Sequence, residues 1–473
     1  MARAMRRRDF VRLAALAGLG AAGGAVPGCR RPLRGNGRNV LLVTIETTRA
    51  DHVGAYGYAR ETTPRFDAWS AGGVLFEQHS SVSPRTNPSV ASILTARYPH
   101  EHGTRSILLP LERECRSLGE IFRDAGYRTA GIQTHPRLVS ASGFGQGFDE
   151  YLDDFRGHPR ADQSLGLAWE WIESASRGRR PWFLWVHVMD PHWPYEPPES
   201  WASRFGPPDP RPQRLYEDLR AKRRRIGQVI FRNEMPPDEV AAFVNLYDAE
   251  IRFTDEELGR LLGRLERAGL SEKTAVCVTA DHGESLGEHD YFFEHGDLGT
   301  EPEIRVPLAI ALPGAIPAAV RVPWTTRSID IAPTLLDLAG LPAEGTFRGS
   351  SLAPYWNGGT VEDRPCFGET DRSLHEENDR REVEGVAGKR RWVRLGPYKL
   401  VHVPRRDGPP ERHLFDVRAD FAESRDLFET EAEVAGLLGR MLDAWLAEDA
   451  GFLRPTRISP ELYETLRSLG YVN

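Results

Sequence analysis

The sequence predicts an α/β fold built on a parallel sheet, and three observations carry the prediction. Four short apolar runs are continuous rather than alternating, as strands covered on both faces must be: Val40–Ile45, Tyr127–Ile132, Trp182–Val188 and Thr274–Ala280. Helical segments stand between and after them, at Leu118–Ala125, Leu167–Ala175, Asp238–Ala268 and Ile329–Ala339, and that alternation separates α/β from α+β. Each run then breaks into polar residues at its C-terminal end: Glu46, His135, Asp190-Pro191-His192 and Asp281-His282-Gly283-Glu284. Open parallel sheets bind ligands outside the carboxyl ends of their strands, so the four ends predict one site. Singly, each polar residue reads as a loop cap or a surface charge.

Composition sets the outer bounds. At 473 residues, 40% hydrophobic and 27% charged, the chain has room for two to three domains, or for one large α/β domain with an appendage. A core of that size needs neither disulfide nor metal to fold. No uninterrupted apolar stretch reaches the ~20 residues of a spanning helix, which excludes a polytopic membrane protein. The net charge of −7, from 61 basic and 68 acidic side chains, excludes the usual nucleic-acid binder.

The first segment is an address. Arg6-Arg7-Arg8 lead into Leu13–Val26, uncharged and rich in Ala and Gly, and then Pro27-Gly28-Cys29. A positive start, a short apolar stretch and small residues before a cut predict a signal peptide over residues 1–28. Arg7-Arg8-Asp9-Phe10 resembles a twin-arginine signal, and Val26-Pro27-Gly28-Cys29 a bacterial lipobox. The expectation is an exported protein, periplasmic or at the cell surface, whose membrane contact is a lipid on Cys29. Residues 29–37 read as a tether. Cys115, Cys277 and Cys366 then remain, an odd number without metal-knuckle spacing.

Pro84–Thr95 reads as a loop feeding a helix, with Asn87 as N-cap and Pro88 in the first turn. Thr86 is expected just outside that N-terminus, where free N–H groups favour anions. A hydroxyl there becomes a nucleophile if a metal lowers its pKa. Taken alone, Thr86 reads better as another cap.

Longer motifs add a resemblance. Asn39–Glu46 with Arg49, Asp51 and His52, Thr63-Pro64-Arg65-Phe66-Asp67, Pro88–Thr95 and His187–His192 lead the series. Tyr247–Asp255, Asp281–Glu288, Arg305-Val306-Pro307, Ser328-Ile329-Asp330 and Leu414-Phe415-Asp416 continue it. Together they resemble, in order, the sulfatase family of the alkaline phosphatase superfamily. The resemblance implies an alkaline-phosphatase-like sandwich over 38–360, a large central mixed sheet flanked by helices. A small C-terminal antiparallel sheet with a helix would fill 361–473, with Gly368-Glu369-Thr370 and Trp392–Leu400 as strands. It also implies attack on a sulfate or phosphate ester through a covalent intermediate, assisted by one divalent metal ion.

The departures are informative. Sulfatases place Cys or Ser, matured to formylglycine, where this chain has Thr86; they place Arg at Val90, Asp at Glu46 and Lys at Gln133. Threonine cannot be oxidised to formylglycine. Glu46, Thr86, Asp281 and His282 instead resemble the metal set of bacterial phosphoglycerol and phosphoethanolamine transferases, which use the threonine as nucleophile. The implied roles are Glu46, Asp281, His282 and Thr86 as ligands of Mn²⁺, Zn²⁺ or Mg²⁺, ahead of Ca²⁺. His192 and His295 would hold the phosphoryl group or protonate the leaving oxygen, and His135 and Asn87 would join His192 on the anionic ester. A second Asp-x-x-x-His metal set is not found, since Asp248 is followed by Arg252 and Asp281 by Ser285.

The expected activity is therefore hydrolysis of phosphate esters ahead of sulfate esters. A phosphoryl-group transferase with the same site, and a non-catalytic binding protein on the same fold, are the alternatives. Those transferases reach lipid donors through membrane helices that this chain lacks. The Pro/Arg-rich stretch from Trp201 to Pro237 reads as an inserted lid or surface loop that governs selectivity, and the basic run Arg220–Arg225 as a solvated helix or insertion rather than a steering patch for anions. Oligomeric state is not legible.

Overall fold

In the computed structural model, residues 35–153, 159–222, 235–359, 361–373, 388–405 and 408–449 are described. The expected signal peptide, Cys29 and Arg223–Arg225 of the basic run lie outside them.

Strand β1 (Asn39–Ile45) organises the fold because both of its faces are covered. Val40 and Leu42 pack with Ile93, Leu94, Leu335 and Leu336 in one core, while Leu41 and Val43 pack with Leu165, Ile172, Leu261 and Leu265 in the other. Eight strands share this sheet: β1, β2 (Val74–Ser80), β3 (Arg128–Gln133), β4 (Glu150–Leu152), β5 (Trp182–Val188), β6 (Thr274–Ala280), β9 (Leu308–Ala311) and β10 (Val320–Arg327). Their order is β10-β2-β9-β6-β1-β5-β3-β4. A short hairpin, β7 (Ser285–Leu286) and β8 (Phe292–Glu294), stands apart. All four sequence-predicted runs are parallel strands. The sheet as a whole is mixed, because β9 runs antiparallel between β2 and β6. The parallel expectation is corrected to that extent, and the mixed sheet implied by the resemblance stands.

The flanking helices are α1 (Pro64–Ser70), α2 (Thr86–Thr95), α3 (Leu118–Asp124), α4 (Ala161–Ser176), α5 (Arg211–Lys222), α6 (Pro237–Arg267) and α7 (Ile331–Leu338). Helix α4 starts at Ala161 rather than Leu167. Its first N–H is anchored by Asp190, whose Oδ2 accepts from Ala161 N at 2.7 Å. Helix α7 starts at Ile331, after a 3₁₀ turn over Ser328–Asp330. The inserted stretch is not loop throughout, since α5 buries Tyr216 and Leu219 against Phe243 and Tyr247 of α6.

A second sheet is antiparallel in chain order: β11 (Cys366–Ser373), β12 (Lys389–Leu395), β13 (Tyr398–Val403) and β14 (Glu411–Asp416). Helix α8 (Ala432–Asp449) covers it with Val434, Leu438, Leu442 and Trp445. Trp392–Leu400, expected as one strand, is the turn-containing junction of β12 and β13, because Gly396 at φ 59° reverses the chain. Buried ion pairs tie β11 and α8 to the loop between α2 and α3: Arg105 Nε donates to Glu369 at 2.7 Å and Arg105 Nη1 to Asp449 at 2.6 Å. Cys115, Cys277 and Cys366 are buried free thiols. No helix among the described residues is long and apolar enough to cross a membrane.

Candidate active site

Register alone assembles the centre of the site. Ile45 pairs with Ala280 on one side of β1 and with Val188 on the other, so Glu46 and Asp281 emerge side by side at the carboxyl ends. Thr44 pairs with His187 across the β1–β5 ladder. That histidine is the one polar residue within β5, and it turns its ring toward Glu46, with Nε2 2.6 Å from Oε2 and Nδ1 2.8 Å from Thr44 Oγ1. His187 was assigned no role from sequence. A single imidazole inside an otherwise apolar, fully buried strand was the available signal.

Helix α2 delivers Thr86 to the other carboxylate oxygen. Thr86 is the first helical residue rather than one outside the helix, with Arg85 as the extended N-cap. Asn87 is therefore not the cap; its amide donates to Ile107 O at 3.0 Å. The Asn87 atom left over is Oδ1, buried without a partner, an acceptor poorly suited to an anionic ester. Ser89, one turn on, donates to the Asp281 carbonyl at 2.6 Å and so pins α2 to the end of β6. With the helix held there, Thr86 Oγ1 donates to Glu46 Oε1 at 2.7 Å and lies 3.3 Å from His282 Nε2.

His282 defines what the centre can hold. Its Nδ1 is 2.9 Å from the Gly283 carbonyl, an acceptor, so Nδ1 carries the proton and Nε2 faces inward. Around Nε2 stand Thr86 Oγ1 at 3.3 Å, Glu46 Oε1 at 3.2 Å and Asp281 Oδ2 at 3.3 Å. Asp281 Oδ2 is buried and accepts no hydrogen bond. Convergence of two carboxylates, a hydroxyl and an imidazole lone pair on one point, with an orphaned oxygen among them, fits a divalent cation. Electrostatics agree. Burial raises Asp281 to about 7, helped by the adjacent Glu46. Burial would lower His282, yet Asp281 and Glu46 reverse the sign and lift it to about 9. Burial would also raise Glu46, but His135, His187 and His282 hold it well below the usual carboxylate range. The pocket calls for positive charge.

Imidazoles line the approach. The His282 and His295 rings lie 4.3 Å apart, His295 and His192 5.6 Å, and His192 and His135 6.2 Å. Burial lowers His135, His192 and His295, which favours their neutral forms, while Glu46 pulls each of them the other way. His295 Nδ1 is 2.8 Å from Glu284 Oε1, and burial pushes that carboxyl up to about 8. Glu46, His192 and His295 form a second grouping close enough to share a cation. Sequence spacing could not show it, because its members come from three different loops. Where sulfatases carry Arg and Lys, Val90 is buried in the apolar core and Gln133 is buried with an unpartnered Oε1.

A sequence model of the sulfatase family matches residues 38–341, from β1 through α7. The chain belongs to the sulfatase family. Such proteins are ester hydrolases of the alkaline phosphatase superfamily, and members bind a divalent metal. A second sulfatase-related model, described as N-sulphoglucosamine sulphohydrolase, C-terminal, matches residues 287–444. Among sulfatase-family relatives, an ulvan-active sulfatase of Formosa agariphila is 27% identical over 67% of this chain and 64% of its own length. This chain thus spans just under two thirds of that relative. An N-acetylglucosamine-6-O-sulfatase of Bacteroides thetaiotaomicron is 22% identical over 82% of each chain. The crystal structure of a phosphonate monoester hydrolase of Agrobacterium radiobacter superposes with a TM-score of 0.70 at 23% identity, covering 90% of this chain and 98% of that one. That likeness shows the fold.

Proposed function

We propose that this sulfatase-family protein hydrolyses phosphate esters in preference to sulfate esters, through a covalent intermediate on Thr86, while anchored outside the cytoplasm by a lipid on Cys29. The placement of Thr86 Oγ1, 2.7 Å from Glu46 and 3.3 Å from His282 at the first turn of α2, carries the reading. Glu46, Asp281, His282 and Thr86 would hold one divalent ion, Mn²⁺, Zn²⁺ or Mg²⁺. Such an ion, when bound, supplies positive charge that favours the alkoxide form of a neighbouring hydroxyl and offsets the anionic ester.

The chain's own groups account for the rest. Thr86 Oγ1 attacks phosphorus as its proton passes to Glu46 Oε1, which accepts it at 2.7 Å, and the new bond forms as the bond to the alcohol oxygen breaks. His192 and His135, neutral, donate to phosphoryl oxygens. Glu284, its carboxyl pushed up to about 8, passes its proton to His295 Nδ1 as the other ring nitrogen protonates the leaving oxygen, so His295 ends the step neutral. Water then cleaves the phospho-threonine and restores the hydroxyl. The missing cationic contacts at Val90 and Gln133, together with a side chain that cannot become formylglycine, support phosphate over sulfate.

The test is a hydrolysis panel of an aryl sulfate, an aryl phosphate monoester and a phosphodiester, each with Mn²⁺, Zn²⁺, Mg²⁺ or Ca²⁺. Thr86→Ala should abolish turnover with metal content retained. Preference for the aryl sulfate, or an active Thr86→Ala enzyme, overturns the mechanism while leaving the family untouched.

A further inference from the structure

Asp371 belongs to β11 of the C-terminal sheet, yet its contacts reach the catalytic centre from behind. Its backbone N–H donates to Gly296 O at 2.8 Å, and Gly296 directly follows His295. Carboxylate Oδ1 accepts the Ile107 N–H at 2.7 Å, and the carbonyl of the same Ile107 accepts from Asn87 Nδ2 at 3.0 Å. Oδ2 stands 3.5 Å from Arg85 Nε. Arg85 in turn donates through Nη1 to His295 O at 2.8 Å and to Glu294 at 3.0 Å.

The residues on either side of Thr86 are thus both tied to Asp371, Arg85 by charge and Asn87 through the backbone of Ile107. The loop carrying His295 is tied to it as well. Asp371 is fully buried, and a buried carboxylate persists only where its partners offset its desolvation. Here one of them, Arg85, precedes the nucleophile and holds the loop of the proposed acid, while Lys389 of β12 adds positive charge from within the C-terminal sheet. Glu369, two residues earlier on β11, supplies the contrast, because its partners Arg105 and Arg391 both pair with Asp449 of α8.

We propose that Asp371 is a positioning residue by which the C-terminal sheet sets the spacing between Thr86 and the His295 loop. The inference rests on reading those two residues as the reacting pair. Misplacement of about 1 Å at a reacting centre can cost about 100-fold in rate, so the expected effect falls on kcat.

The test compares Asp371→Ala, Asp371→Asn and Glu369→Gln in the full chain by two measurements. The first is hydrogen exchange of the resting protein without substrate. Asp371→Ala should speed exchange about tenfold at Ile107, at 85–89 and at 294–298, with β1 and β6 unchanged. The second is kcat and KM per folded molecule, on whichever panel ester the unmodified enzyme cleaves. Asp371→Ala should lose about 100-fold in kcat with KM moved less than about threefold. Asp371→Asn, which keeps an acceptor for Ile107 but drops the charge facing Arg85, should lose about tenfold. Glu369→Gln should lower stability and leave kcat per folded molecule intact. Unchanged exchange at both loops, or a kcat loss in Glu369→Gln equal to that in Asp371→Ala, overturns the proposal. If Thr86→Ala remains active while Asp371→Ala still loosens both loops, the nucleophile assignment falls and the coupling stands. If no panel ester is cleaved, the exchange measurement decides alone.

Discussion

His187 shows how much a residue outside the reacting pair can matter. It bridges Thr44 and Glu46 with both ring nitrogens, so the Glu46 carboxylate has one oxygen fixed and the other, Oε1, aimed at Thr86 and His282. Groups that orient a metal ligand in this way typically change metal affinity by about 10–100-fold when removed. His187→Phe is accordingly expected to fold and to bind Mn²⁺ or Zn²⁺ about 10–100-fold more weakly by calorimetric titration. Unaltered affinity would show that Glu46 is held by its backbone alone. Val90 argues the opposite case, that a family feature has been built out. It lies in the core with no exposed surface, so restoring the sulfatase arginine by Val90→Arg buries an unpaired guanidinium. The expected result is loss of several kcal/mol of stability in a urea titration, with no gain of aryl sulfatase activity. A stable, sulfate-cleaving Val90→Arg protein would contradict that reading.

Helix α2 connects sequence to chemistry at the next scale. Every residue from Thr86 to Thr95 is buried, so the helix cannot slide without disturbing packing along its whole length. Its axial position is set by Ser89, bonded to the Asp281 carbonyl at 2.6 Å and to Ser81 Oγ at 2.9 Å. Ser89→Ala should cost about 1 kcal/mol of stability, a typical value for one buried hydrogen bond. It should also lower kcat while metal content holds; an unchanged kcat would mean that packing alone fixes α2. Helix α5 illustrates an element that sequence patterns hid. Its Pro/Arg-rich composition reads as loop, yet Tyr216 and Leu219 dock on α6 and the Tyr216 ring meets Trp193 edge-on at 5.1 Å. The Tyr195 N–H also donates to Tyr216 O–H at 3.0 Å. The insertion therefore braces the segment that carries His192.

Across the whole molecule, charge buried where the C-terminal sheet meets the loop carrying Arg105 makes stability depend on pH. Burial alone would raise the Glu369 carboxyl, but Arg105, Lys389 and Arg391 bring it down to about 2 from an ordinary 4.5. A lowered folded-state value contributes stability that is fully present above pH 4.5 and is lost as pH falls toward 2. The shift of this carboxyl corresponds to about 3 kcal/mol, shared among its three cationic partners. Chemical denaturation at pH 3 and pH 6 should differ by less in Glu369→Gln than in the unmodified protein. An equal difference would assign the acid sensitivity elsewhere. Four of the eight strands of the large sheet, β1, β3, β5 and β6, were legible because burial on both faces leaves continuous apolar runs, and a carboxylate or imidazole followed each of them, whereas β2, β4, β9 and β10 left no such pattern. Sequence by itself thus determined the α/β class and proposed Glu46, Thr86, Asp281 and His282 as one set through resemblance to known motifs. What it could not contain were distances between loops. Only the tertiary structure decided that His187 grips Glu46, that Asn87 is turned to Ile107, that β9 reverses the sheet and that Asp371 reaches Arg85 from another sheet. Each depends on residues far apart in the chain being brought within a few ångströms by register and packing, and no local pattern encodes that.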